Sequence, residues 1–115
     1  MTTTFDRVGF LQRTAGDAKL ISDLASTFLK SIKSEWQILL NAVISENYER
    51  VEQQAHSLKN SCQVFFKGDL ISNLHQIEVS ARNCNVKELK IGTEKLKSEW
   101  DNLQELLQFI EELII

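Results

Sequence analysis

The chain has 115 residues, 43% hydrophobic and 25% charged, with 13 basic against 16 acidic side chains and a net charge of −3. That length fits one domain that buries roughly two-thirds of its unfolded surface without help from metal or disulfide. The acidic balance argues against a nucleic-acid binder, no run of about 18 apolar residues spans a membrane, and two cysteines make no disulfide framework. Pro is absent and Gly occurs four times, which removes the punctuation of turn-rich β folds and favours long helices. The opening Met1-Thr2-Thr3-Thr4-Phe5-Asp6 lacks the basic start and apolar run of a signal peptide, so a cytoplasmic location is expected. Lysines between positions 87 and 97 interleave with Glu88, Glu94 and Glu99, the mixture of a solvated helix face.

Phe5, Val8 and Leu11 predict a short helix from about Phe5 to Thr14. Gly16-Asp17 breaks it and supplies an N-cap for a long amphipathic helix to about Ile44. Its stripe is Leu20, Leu24, Phe28, Ile32, Trp36 (or Glu35), Leu39 and Val43. Ser45-Glu46-Asn47 is a short connection, and Asn47 (or Ser45) caps a helix running to about Phe66 on Val51, Ala55, Leu58, Cys62 and Phe65. Lys67-Gly68 stops that helix and Asp69 caps the next, whose stripe of Leu70, Leu74, Ile77 and Ala81 ends at Asn83-Cys84-Asn85. The last helix carries Leu89, Leu96, Trp100, Leu103, Leu107, Ile110 and Ile114, spaced as a bundle seam from Leu96 onward. Four amphipathic helices joined by short turns predict an all-α, antiparallel up-down-up-down four-helix bundle, with the short first helix added at one end.

His56 stands out within that pattern. It lies roughly 140° round the helix from the apolar stripe, facing water, with Lys59, Asn60 and Gln63 at i+3, i+4 and i+7. His75, beside Leu74, reads as a surface histidine. The order His56, Cys62, His75, Cys84 holds no metal-ligand pair spacing, and Cys62 falls on the apolar stripe, so no metal site is expected. Glu46, Glu49 and Glu52 lie on polar faces with no apolar pocket to shift them, and the scattered glycines form no phosphate-binding loop. An independent enzyme with its own substrate pocket does not fit.

Ala55-His56-Ser57-Leu58-Lys59 resembles the Ala-His-x-Leu-Lys core of the histidine-containing phosphotransfer (HPt) domain. The segment from Phe10-Leu11 through Gly16-Asp17 to Phe28-Leu29 is similar to the family's opening helix, break and second helix, and Leu70 and Ile77-Glu78 fall where it has a Leu and a Leu-Glu pair. Two positions depart from the family: Asn60 and Phe66 stand where it has Gly.

The resemblance implies a phosphorelay intermediate, a phosphocarrier without kinase activity of its own. His56 would accept the phosphoryl group from a receiver-domain aspartate and return it to another. Lys59, Gln63 and Asn60 would stabilise the phosphoryl oxygens. Magnesium would belong to the receiver, and the chain itself needs no cofactor. The expected partners are response-regulator receiver domains and a hybrid sensor histidine kinase, with no nucleic acid and no membrane, the chain acting as a monomer. By position, the docking surface would draw on Phe10, Leu11, Ile21 and Phe28, some of which must instead be core, a division the sequence does not make; Phe66 would extend an apolar rim. A second reading, motivated by Asn60 and Phe66, is an HPt-like module that docks on a receiver or helical partner without transfer. A third is a helical oligomer joined through leftover apolar residues such as Leu106 and Leu113.

Overall fold

The computed structural model describes residues 2–114. In chain order these form β1 (Thr4–Phe5), α1 (Arg7–Thr14), α2 (Ala18–Ile44), α3 (Tyr48–Gln63), β2 (Phe66–Lys67), α4 (Asp69–Arg82) and α5 (Val86–Glu111). The molecule is almost entirely helical, with one short antiparallel β1–β2 pairing. α2 packs on α3 and α5, α3 on α4, and α4 on α5, so the four long helices enclose a common core. None of the described helices is long and apolar enough to cross a membrane.

The caps set most helix starts. Asp17 accepts from the Leu20 amide, Asn47 from that of Arg50, and Asn85 from that of Glu88, each side chain satisfying an amide that has no partner within its helix. The stripe residues Val51, Ala55, Leu58 and Cys62 of α3 are buried, as are Leu70, Leu74, Ile77 and Ala81 of α4. In α2 the seam is Ala25, Phe28, Ile32, Trp36, Leu39 and Ala42; Leu20 is exposed and Leu24 and Val43 are half-buried. Trp36, rather than Glu35, takes the core position and stacks on Trp100 of α5 at a centroid separation of 4.3 Å.

The largest departure from the sequence expectation lies where α3 leads into α4. α1 begins at Arg7, and α3 ends at Gln63 rather than near Phe66. Phe66 and Lys67 instead pair with Phe5 and Thr4, and the Asp6 amide donates to the Phe65 carbonyl at 2.7 Å. Asp69 does not cap α4. It is the first helical residue, and the Leu70 amide is satisfied by the Thr3 hydroxyl at 2.8 Å, which in turn donates to Glu99 of α5. Thr3 passes so close to Gly68 that a Cβ there would sit 2.7 Å from the Thr3 Cα, and Gly68 has φ +120, so both space and backbone demand glycine.

This arrangement closes one end of the molecule with rings. Phe65 stacks on Phe10 at 4.9 Å and lies 4.8 Å from Phe28, while Phe66 meets Phe5 edge-on at 6.5 Å and Phe28 at 6.1 Å. Phe10 and Phe66 are 1% and 2% exposed. The expected docking roles of Phe10 and Phe66 are therefore corrected: both rings belong to the core, as does Phe28, and none offers surface to a partner. Leu11 remains 43% exposed.

Candidate functional site

α3 and α4 pack along each other, and the site lies on their outer seam. On α3, burial of Ala55 and Leu58 turns His56 outward, leaving its side chain 57% exposed. On α4, burial of Leu74, Ile77 and Ala81 fixes the helix phase so that Glu78 sits at the edge of the core, with its side chain 6% exposed. Glu78 is the hub. Its Oε1 lies 3.0 Å from His56 Nδ1 and 3.1 Å from Lys59 Nζ, and its Oε2 accepts from Arg82 Nη2 at 3.0 Å. Arg82 Nε also donates to Glu52 at 2.7 Å, and Lys59 Nζ donates to His75 Nδ1 at 3.3 Å.

The electrostatics of the hub fix a proton. Burial pushes the Glu78 carboxyl up, but hydrogen bonds and charge from Lys59 and His56 outweigh it and hold the group below the usual glutamate value. Glu78 is then a carboxylate near neutral pH and can only accept. The hydrogen in the Glu78–His56 contact therefore sits on Nδ1, and whenever the ring carries a single proton the lone pair is on Nε2. That nitrogen meets Asn60, whose Nδ2 lies 3.2 Å away, and the tautomer makes the amide the donor.

Of the residues singled out from sequence, His56, Lys59 and Asn60 are brought together. Gln63 is not: it lies two turns on, about 10 Å along the axis, and lines a separate depression with Arg13, Asn60, Val64, Ile71 and Ser72. Lys59 is not a free cation over the histidine, because its ammonium is folded onto Glu78 and His75. The sequence reading missed Arg82 and Glu52 as members of the network, and held Glu78 only as a position of likeness. The available signal was local. Glu78 directly follows the core residue Ile77 and stands four residues before Arg82, the spacing of a helical ion pair.

His75 is exposed, as expected. Cys62 lies in the core, where burial and then the charge of Glu35 push its thiol up to about 12, so it is an inert packing group. Among the described residues no group of three or more His, Cys, Asp or Glu side chains is arranged to hold a metal ion.

No family model, no curated protein and no solved structure gives a significant match to this chain.

Proposed function

We propose that this chain is a histidine phosphotransfer module, relaying a phosphoryl group between receiver-domain aspartates through a phosphohistidine at Nε2 of His56. The single observation that carries the reading is the division of the imidazole. Nδ1 lies 3.0 Å from a buried carboxylate, while the ring stands on an exposed helix face, an arrangement that leaves the lone pair of the neutral ring on Nε2. The cyclic order of helix neighbours and their short turns support the antiparallel up-down-up-down bundle that such a module uses, with α1 attached through the Phe10–Phe65 stack.

The chemistry follows from that division. Nε2 attacks the phosphorus of an aspartyl phosphate, the N–P bond forms, and the P–O bond breaks with its electron pair leaving on the receiver's carboxylate. The ring keeps its Nδ1 proton and becomes cationic, and the Glu78 carboxylate counters that charge. A protonated phosphoimidazole is the better leaving group, so the same contact keeps the phosphoryl group ready for the second receiver. Lys59 and Arg82 hold Glu78 in place and add positive potential beside the incoming oxygens. Magnesium is assigned to the receiver. The receiver footprint would extend from His56 along α3 over Asn60, Gln63 and Val64 to Arg13, whose guanidinium donates to the Val64 carbonyl at 2.8 Å.

The test is transfer from a panel of phosphorylated receiver domains, with His56→Gln alongside. Wild type should take a label that is acid-labile and base-stable. The variant should take none while staying cooperatively folded, with a loss of no more than about 1–2 kcal/mol from the altered hydrogen bond to Glu78. Label retained by the variant would overturn the assignment. One observation favours a second reading, a docking module without transfer: the Asn60 amide already occupies the nitrogen that must attack. Receivers that bind tightly and never label wild type would favour that module.

A further inference from the structure

Asn60 sits where its side chain can act on the reacting atom itself. Its Nδ2 is 3.2 Å from Nε2, and the carboxylate at Nδ1 leaves that nitrogen no role except acceptor. The amide therefore binds the lone pair that a phosphoryl group must capture. Both partners stand one turn apart on α3, so the contact needs no distortion of the helix to form. Asn60 is itself exposed and its side chain is free to swing, so the contact can open without unfolding anything.

We infer that Asn60 is a specificity-determining latch: it holds the His56 lone pair, and phosphoryl capture requires a donor that displaces the amide. A receiver docked over Asn60, Gln63 and Val64 covers the amide and supplies it with other partners. A small free phosphodonor does not. Once the N–P bond has formed, the lone pair is gone and the amide N–H is released toward the phosphoryl oxygens, so the latch opposes entry without opposing retention. The inference rests on His56 being the phosphoacceptor.

Phosphoramidate is the probe, because its reaction isolates entry. Its P–N bond breaks, ammonia leaves with the electron pair, and the phosphoryl group bonds to Nε2 with no further reagent. Labelling of wild type, Asn60→Ala and Asn60→Leu is followed by 31P NMR, and the Nε2 environment by 15N NMR of the imidazole. Asn60→Leu keeps bulk and removes the amide, separating a hydrogen bond from crowding. Both variants should label about three- to tenfold faster than wild type, the factor that one ordinary hydrogen bond amounts to in a barrier. In both, the Nε2 resonance should move toward that of an unbonded pyridine-type nitrogen, with the Nδ1–H tautomer unchanged. Three results overturn the latch while leaving the phosphoacceptor standing: equal labelling rates, an unmoved Nε2 resonance, or acceleration in Asn60→Ala alone. No label on any of the three proteins from phosphoramidate or from receivers would remove the phosphotransfer reading, and the latch with it.

Discussion

α3 passes through two different environments within ten residues, and the contrast separates what holds this protein together from the flank on which phosphotransfer is proposed. Its middle faces outward into a charged network in which every contact is polar: His56, Lys59 and Arg82 converge on Glu78. Its exit faces inward into five phenylalanines, where Phe65 and Phe66 are each 2% exposed. The exit is stabilised by area removed from water and by stacked and edge-on ring contacts. The charged seam depends on individual atoms, because a carboxylate at the edge of the core must keep its donors or lose more than they contribute.

The largest expected effect lies at the exit. Phe65→Ala removes a ring that touches Phe10, Phe28 and Phe66, and should destabilise the fold by about 3–5 kcal/mol in denaturant melts. The contrast predicts that the folded fraction of this variant still labels on His56. A protein that melts as expected but is dead to phosphodonors would mean that the two regions are coupled through α3.

Glu78→Gln tests the other side. The change keeps shape but removes the charge shared by His56, Lys59 and Arg82, and should cost about 2 kcal/mol while slowing labelling about tenfold or more. Its pH dependence has a defined sign. The folded Glu78 carboxyl lies below its ordinary value of 4.5, so its contribution is fully present above about that pH and disappears as pH falls through the lower folded value. The stability gap between wild type and Glu78→Gln should therefore be constant near neutrality and close in that acid range. A gap that persists unchanged to the lowest pH of folding would show that packing, not charge, makes Glu78 matter.

The same contrast explains what was legible in the sequence. Helical phase is local, and Val51, Ala55, Leu58 and Cys62 of α3 are all buried, which is why the outward direction of His56 could be read directly. The caps Asp17 and Asn47 are local too. Phe66 was misplaced because its direction was extrapolated along a helix that stops at Gln63, and a two-residue strand is too short to show any period. Glu78 as the hub was out of reach for a different reason. Periodicity says which face a residue occupies, not which side chains from another helix lie opposite, and the His56 contact spans 22 positions. Asp69 has the local marks of a cap, while the hydroxyl that serves the Leu70 amide comes from Thr3, 67 positions before Leu70.

Thr3 sharpens the comparison most finely, because it is a polar contact inside the apolar end. Its hydroxyl accepts from the Leu70 amide and donates to Glu99, both at 2.8 Å, in a residue 2% exposed. Thr3→Val keeps the shape and leaves the first turn of α4 with a buried amide lacking its acceptor, at about 1 kcal/mol. Amide exchange should accelerate at Leu70. Exchange at Glu78, two turns further along α4, should stay as in wild type, and so should labelling of His56. If the loosening did travel to Glu78, the first turn of α4 and the charged seam would open as one unit. The division between a packed end and a charged flank would then be one of composition only, because both would draw on the same α4.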